Sequence, residues 1–376
     1  MFIIILGYFT IIATLNFPTY LLREIAMKPC QQWGQMLFHQ WIFLSLNAIP
    51  VILLVIGACA INLIEFKYLF HFILLLILVT TNNQYENFHV AVKKPAWGAA
   101  MLLLRSSWII PLFVLNYFGF LSRELSYVFI VWATTELVTV IISSILVVRW
   151  GYFPERFYKI DLRWIHKGVR VGIGYSLLAL LLMLIVNIQR VILGQYHSSD
   201  SVGAFHFYYM ISVFFPNLIE ATVFAIVLPN MIVKNKQTNI EKLAMPEKKY
   251  LYSMILLSFT SIISVASFLP CVLNVVGKSK LLEYRYLFYY TGIFAMLYSI
   301  ARIFHYQLFS SHKDRLLGIV YCISGIISVL SSFAIIPKYG LKGAGVSLVI
   351  SGGSYLMIII IPFFMCRLVK RFKYAM

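Results

Sequence analysis

Long apolar segments recur from one end of the chain to the other, and they restrict the fold more than any other feature. Each has about 20 residues or more, the length that an α-helix needs to cross the hydrocarbon core of a bilayer. Hydrophobic residues occupy 61% of the 376 positions and charged residues only 12%. A water-soluble core cannot absorb so much apolar sequence. The chain is therefore predicted to be a single all-α polytopic membrane protein.

Eleven candidate membrane helices follow from this pattern. The charged segment 149–167 leaves five of them before it and six after it. The sequence thus predicts an N-terminal helix bundle (1–148), a cytoplasmic basic linker (149–167) and a C-terminal helix bundle (168–376). Two six-helix halves would require one more helix before Met1, so a first helix is expected to be absent. The eleven ranges are 2–22, 37–61, 66–90, 97–118, 125–148, 168–194, 202–230, 250–276, 284–310, 315–335 and 341–366.

The basic residues lie in alternate loops. The chain has 31 Lys and Arg against 13 Asp and Glu, a formal charge of +18, which in a soluble protein would indicate nucleic acid. Here most of them fall in every second loop, above all 149–167 and 231–249, and in the C-terminal tail. This distribution is typical of the positive-inside bias and of anionic headgroups. It predicts a cytoplasmic C-terminus, anionic lipids as partners and no nucleic-acid binding.

Motifs for catalysis or metal binding are absent from the sequence. The five cysteines are scattered, without a CxxC or a His/Cys cluster at metal-ligand spacing. No GxSxG, HExxH, P-loop or Gly-rich dinucleotide motif occurs. The sequence therefore predicts no enzyme, no cofactor and no metal.

Three ionisable residues lie deep inside predicted helices, where charge is costly and by default indicates a functional site. These residues are Arg105, Glu136 and Glu220. Two interpretations stay open. In the first, each residue faces an aqueous cavity, and Glu136 and Glu220 are candidates for responding to a coupling ion. In the second, the charges form internal pairs such as Arg105 with Glu136.

Three further arginines are candidates for a cationic cavity. Arg190 and Arg302 lie nearer to helix ends, where a long side chain can also reach the headgroups. Arg23 closes the first helix and has a positive-inside anchor as its alternative role. Arg190 belongs to the polar, Gly-bearing stretch 187–221, which joins two long apolar runs.

Three motifs in a fixed order resemble bacterial polysaccharide flippases of the Wzx type. That family belongs to the superfamily of multidrug, oligosaccharidyl-lipid and polysaccharide exporters, which also contains lipid II flippases and multidrug and toxin extruders. One departure is Gln189, where the family often has an Asp directly before the Arg. The motifs are Leu-Leu-Arg-Glu-Ile-Ala (21–26), Arg-Val-Ile-Leu-Gly (190–194) followed by Ser-Val-Gly-Ala-Phe (201–205), and Pro-Lys-Tyr-Gly-Leu-Lys-Gly-Ala-Gly-Val-Ser (337–347).

The resemblance implies two helix bundles and alternating access. It implies transfer of an undecaprenyl-pyrophosphate-linked oligosaccharide across the bacterial inner membrane for O-antigen or capsule synthesis. A polysaccharide polymerase and a chain-length regulator are then implied as partner proteins. In this hypothesis Arg105 and Arg190 contact the pyrophosphate or an acidic sugar, and Glu136 or Glu220 responds to a coupling cation.

Other functions stay open at this point. A carboxylate-rich cavity would favour a multidrug or cation antiporter of the same superfamily. Here the intramembrane arginines match or outnumber the acids. A glycan polymerase would require a long extracytoplasmic loop, and the predicted outer loops are short. A purely structural membrane protein would not need charges at several depths.

Overall fold

The computed structural model describes residues 2–118, 125–152, 159–237, 246, 248–275 and 279–375. Within these residues the regular structure is helical and contains no strand, which confirms the predicted all-α polytopic fold class. In a bilayer each backbone N–H and C=O must be bonded within the protein, and a helix achieves this within one segment. The chain divides into two compact units, Met1–Ala179 (unit 1) and Leu180–Met376 (unit 2). The predicted linker at 149–167 stays a prediction.

Among the described residues, unit 1 contains seven α-helices and the first half of an eighth. Its core contains Leu6, Val55, Phe72 and Phe129, each at most 3% exposed. The side chain of Asp161 accepts a bond from the backbone N–H of Trp164 at 2.9 Å and so caps the eighth helix. The helices are α1 (Phe2–Thr14), α2 (Phe17–Met27), α3 (Trp33–Ala60), α4 (Leu69–Ala91), α5 (Pro95–Ser106), α6 (Ile109–Tyr117), α7 (Leu125–Arg149) and α8 (Leu162–Tyr196).

Unit 2 takes the second half of α8 and adds four helices among the described residues. Its core joins α8 to the later helices through Leu193, Phe205, Leu287 and Leu348, all completely buried. The added helices are α9 (Ser199–Gln237), α10 (Lys248–Val275), α11 (Tyr286–Ser310) and α12 (Asp314–Ala375).

Every predicted membrane segment corresponds to helical structure, but four segments are divided differently. The first predicted segment is divided into two helices, α1 and α2. The chain bends by 51° between them, at Leu15 and Asn16, which have positive φ. The segment 97–118 breaks into α5 and α6 shortly before Pro111, whose missing N–H weakens the turn before it. The last two segments run together as α12, which is broken only at Gly340 (φ 56°, ψ −128°).

By length and composition, seven helices of the described chain could cross a membrane, or eight if the bent pair α1 and α2 is one span. Large apolar side chains on these helices are also exposed at the surface. Leu53 of α3, Ile145 of α7 and Leu330 of α12 are 63%, 58% and 64% exposed. Such surfaces suit lipid, so the chain is a multi-pass membrane protein.

Candidate functional site

Arg105 of α5 lies between two carboxylates in unit 1. Its Nη1 is 3.4 Å from Oε2 of Glu86 on α4, and its Nε is 3.4 Å from Oε1 of Glu136 on α7. The same guanidinium donates a hydrogen bond to the side-chain oxygen of Asn83. The side chains of Arg105 and Glu136 are 14% and 2% exposed. Three helices thus bring one basic and two acidic side chains together, of which Glu86, 28% exposed, is the most accessible.

Further donors hold Glu136 in place. The Nδ2 of Asn82 donates to Oε2 of Glu136 at 2.5 Å and to its backbone carbonyl at 2.9 Å. The indole N–H of Trp132 donates to Oε1 at 3.1 Å. Both oxygens of this buried carboxylate therefore accept hydrogen bonds, which hold the side chain in one orientation.

The cluster of Glu86, Glu136 and Arg105 has one negative charge in excess when both acids are ionised. The Oδ1 of Asn82 is buried beside it, without a hydrogen-bond partner in the part of the chain that the structure describes. A buried excess charge is stabilised by a proton or a cation, and carboxylate and amide oxygens are suitable ligands for a hard cation. Chemically, the cluster can take up and release one positive charge.

No group of three or more His, Cys, Asp or Glu side chains with metal-site geometry occurs among the described residues. The unit 1 cluster of Glu86, Glu136 and Arg105 contains two carboxylates.

Arg190 of α8 lies in unit 2 and is 7% exposed. Its Nη1 is 2.8 Å from Nδ1 of His206 on α9. A guanidinium can only donate, so Nδ1 of His206 is the acceptor and the imidazole is neutral. Arg190 also donates to the side chain of Asn187, and its Cζ lies 4.4 Å from the ring centre of Tyr209. The guanidinium is therefore oriented by helices α8 and α9 together.

Gln189, the departure from the flippase pattern, makes a different set of contacts. Its Nε2 donates to the hydroxyls of Ser328 at 3.1 Å and Ser351 at 2.8 Å, both on α12. The side chain is completely buried. Gln189 thus joins α8 to the serine-rich core of α12 and contributes no charge.

Arg302 of α11 lies among tyrosines. Its Nη2 donates to the hydroxyl of Tyr306 at 2.7 Å, and its Cζ lies 4.7 Å from the ring centre of Tyr306 and 5.9 Å from that of Tyr298. The neighbouring His305 bonds through Nδ1 to the hydroxyl of Tyr321 at 2.7 Å. This part of unit 2 combines a cation with flat aromatic faces and hydroxyl groups.

Arg23 of α2 is 6% exposed and donates to the hydroxyl of Tyr175 on α8. It is therefore a buried link between two helices of unit 1. The next residue, Glu24, lies 3.8 Å from Lys167. Glu220 belongs to α9, but its side chain lies outside the described part of the structure.

The structure brings Arg105 and Glu136 into direct contact, the ion pair that the sequence left open beside a cavity-facing role. Arg190 and Arg302 belong to unit 2 and have separate contacts. Sequence reasoning overlooked Asn82, Asn83 and Glu86. The available signal was the run 80–89 of α4, where every residue except Phe88 has a polar side chain. Such a run within a membrane helix indicates a polar interior.

No protein-family model and no curated protein sequence matches the chain. Several solved structures do match. A multidrug resistance MATE family transporter of the MOP superfamily, in an outward-facing conformation, has a TM-score of 0.67 at 16% identity, covering 98% of this chain and 85% of that one. An inward-facing MATE transporter has a TM-score of 0.64 at 16% identity, covering 97% and 87%. A Vibrio cholerae MATE transporter has a TM-score of 0.66 at 11% identity, covering 98% and 86%.

The chain has the MATE transporter fold. The match extends over nearly all of the chain, so both units take part in it. The MATE neighbours belong to the same superfamily as the flippases that the sequence motifs resemble.

Proposed function

We propose that this protein is a membrane transporter of the MOP superfamily that works by alternating access. The observation that carries the proposal is the MATE fold. Structures of that fold in outward-facing and in inward-facing conformations match the chain with TM-scores of 0.67 and 0.64. A fold that exists in both states is suited to exposing one site to each side of a membrane in turn.

The coupling site in this proposal is the unit 1 cluster of Glu86, Glu136 and Arg105. Glu136 and Glu86 share Arg105, and the excess negative charge is balanced by a proton or a sodium ion. Binding of the cation changes the net charge of a buried site by one, which biases the helices that supply it toward one conformation.

A small-molecule cargo, as in a multidrug or cation antiporter, is the first candidate. It is supported by the solved MATE neighbours, whose described role is multidrug resistance. The excess acid in unit 1 also suits exchange of a cation against a positively charged amphiphile.

A lipid-linked oligosaccharide is the second candidate, supported by the flippase motifs and by the residues of unit 2. Arg190 and Arg302 would attract a pyrophosphate or an acidic sugar, and the faces of Tyr298 and Tyr306 would stack on sugar rings. In this case we propose a bacterial inner membrane location with a cytoplasmic C-terminus. The partners would be an undecaprenyl-pyrophosphate-linked glycan, anionic lipids, and the polymerase and chain-length regulator of the same pathway.

Transport by proteoliposomes distinguishes the two cargo classes. Vesicles containing the full chain are given an inward or outward gradient of protons or sodium, and either a fluorescent cationic dye or a fluorescent polyprenyl-pyrophosphate-linked sugar. Gradient-driven dye movement supports the antiporter, and movement of the lipid-linked sugar between leaflets supports the flippase. Movement of neither cargo would contradict the proposed function.

Glu136→Gln tests the coupling site in the same vesicles. We expect it to abolish the response to the gradient, because Arg105 then balances the remaining carboxylate of Glu86 and no excess negative charge is left to attract a cation. The matched control is Glu65→Gln, since Glu65 is exposed and pairs only with Lys67 among the contacts described. Equal transport by both variants would contradict the coupling role.

A further inference from the structure

The basic residues at the start of α8 lie on one face of the helix. A spacing of three or four positions places side chains in one row along a helix. This spacing relates Arg163, His166, Lys167 and Arg170, which we call the basic stripe. All four residues are exposed, and the side chain of Lys167 is 66% exposed. The stripe presents the positive charges of two arginines and one lysine on the same side of α8.

The opposite face of α8 is packed against the rest of unit 1. Ile165 is 7% exposed, and a Cβ at Gly168 would lie 2.5 Å from the ring of Phe17 on α2. Further along the helix, Tyr175 is 7% exposed and accepts the hydrogen bond from Arg23. Because these contacts fix one face of the helix, they direct the basic stripe away from the core of unit 1.

The arginines of the basic stripe differ from its lysine in their partners. Among the described residues, neither Arg163 nor Arg170 forms an ion pair. Glu24 lies 3.8 Å from Lys167, and the side chain of Asp161 caps the first turn of α8. The stripe therefore keeps an excess of positive charge, which attracts anionic headgroups at a membrane surface.

Beyond Arg170 the same face of α8 is apolar. Ile173 and Leu177 are 46% and 58% exposed, and a Cβ at Gly174 between them would meet nothing within 4 Å. We call these three residues the apolar continuation. Leu177 lies about 10 Å from Arg170 along the helix axis, at about 1.5 Å per residue. The face thus changes from charged to apolar in the same order as a phospholipid changes from its phosphate to its acyl chains.

We propose that this face of α8 binds an anionic phospholipid of the bilayer, with the phosphate at the basic stripe and one acyl chain along the apolar continuation. Guanidinium groups bind phosphate oxygens through pairs of N–H donors. The open space at Gly174 leaves room for the chain beside Ile173 and Leu177. The proposal names a surface for the anionic lipids given above as partners. It rests on the membrane location in the proposed function and is independent of the cargo.

The test compares two nitroxide-labelled lipids as quenchers of a fluorophore on the apolar continuation. The full chain, with its other cysteines replaced, carries bimane at position 177 (Leu177→Cys) in vesicles of neutral lipid. The vesicles contain either phosphatidylglycerol or phosphatidylcholine with the nitroxide at the same place on one acyl chain. Nitroxide quenches bimane on contact, so the quenching reports which lipid lies at position 177. We expect a preference of about 5-fold for phosphatidylglycerol, the effect of one basic residue at a membrane surface.

A second labelling position provides the reference. Ile323 of α12 is 43% exposed and lies about 12 Å beyond Arg315 along its helix, a similar depth at about 1.5 Å per residue. Both α8 and α12 begin on the predicted cytoplasmic side. Bimane at position 323 (Ile323→Cys) should show little preference between the two lipids. An equal preference at both positions would overturn the proposal, because a general surface charge would then explain it.

Two variants test the basic stripe itself. Arg163→Gln combined with Arg170→Gln leaves the contact between Lys167 and Glu24 intact, and it should reduce the preference at position 177 to that at position 323. The matched control is Lys67→Gln, which removes an exposed lysine outside the stripe and should leave the preference unchanged. A preference that survives in the double variant would overturn the proposal. Transport is not measured, so failure here is distinguishable from failure of the proposed function.

Discussion

A single guanidinium serves two carboxylates at the centre of unit 1. Removing charges from water is expensive, and their attraction compensates only where the remaining lone pairs are also bonded. Asn82 and Trp132 provide those bonds for Glu136, and Asn83 accepts from Arg105. The group is therefore a network whose members depend on one another, and when both acids are ionised Arg105 balances only one of them.

Loss of Arg105 should be more damaging than loss of the pair. Arg105→Met leaves the buried Glu136 and the partly exposed Glu86 without a cation, and we expect it to destabilise the fold by roughly 3 kcal/mol. Glu136→Gln in the same background removes one of those charges and should recover part of the loss. Thermal unfolding in detergent, followed by tryptophan fluorescence, measures both.

The matched control is Arg163→Met, because Arg163 is exposed at the start of α8. It should unfold at the same temperature as the unaltered chain. Additive effects of Arg105→Met and Glu136→Gln would show that the two residues are not coupled.

The sequence singled out Arg105 and Glu136 and offered their pairing as one of two interpretations, but it did not indicate that Glu86 joins them. Arg105 and Glu136 stand out because a charge within an apolar run is rare. Glu86 lies close to a predicted cytoplasmic end, where an acid needs no special explanation. Its approach to Arg105 depends on the packing of α4 against α5, which no local pattern records.

At the scale of helices, the backbone approaches most closely where glycine leaves room. Gly172 of α8 lies against the bend between α1 and α2, and a Cβ there would be 2.3 Å from the carbonyl oxygen of Leu15. Asn16 extends the contact, since its side chain donates to the carbonyl of Tyr175 at 3.4 Å. The bend is therefore held by α8, and a Cβ at this position would separate the helices.

Gly172→Ala should consequently destabilise unit 1. The added Cβ must displace a backbone atom, and strain of this kind typically costs about 1–3 kcal/mol. Gly174→Ala is the matched control, because a Cβ at Gly174, two positions away on the same helix, would meet nothing within 4 Å. The unfolding temperature should fall for Gly172→Ala only. An equal fall for both variants would show that the contact with Leu15 is not the cause of the destabilisation.

Gly340 breaks α12 for a different reason. Its φ of 56° and ψ of −128° belong to a region that only glycine populates freely. A Cβ there would also lie 3.2 Å from the ring of His197. Gly340→Ala should cost about 1–3 kcal/mol, detectable as a lower unfolding temperature.

Gly353 offers the comparison on the same helix. A Cβ at Gly353 would meet nothing within 4 Å, and alanine is the better helix former. Gly353→Ala should therefore leave the unfolding temperature unchanged or raise it. A Gly340→Ala protein as stable as Gly353→Ala would contradict the strained geometry at the break.

For the whole molecule, the bilayer makes the fold class predictable from length and hydropathy alone. In an α-helical membrane protein a spanning segment is helical, so each of the eleven segments could be predicted as helix without information about its neighbours. The same rule explains how the fold can match MATE transporters at 11–16% identity. Breaks such as Leu15–Asn16 were not predicted, because they depend on contacts with α8. The cargo could not be predicted either, because it depends on a few side chains.

The topology of the chain gives the last prediction. If the basic loops face the cytoplasm, Cys30, which follows α2 and is exposed, lies inside, and Glu65, in the next loop, lies outside. A membrane-impermeant maleimide applied to intact cells should label Glu65→Cys and leave Cys30 unlabelled. Permeabilised cells should show labelling at both, which controls for accessibility of the thiols.

Each site is tested in a chain whose other cysteines are replaced by serine or alanine, so that one thiol reports at a time. Cys30 and Glu65 flank a single helix, α3, so opposite sidedness also establishes that α3 crosses the membrane. Labelling of Cys30 from outside would invert the orientation of the whole chain. The basic segment 149–167 would then lie on the outer surface, against the charge bias from which the orientation was inferred.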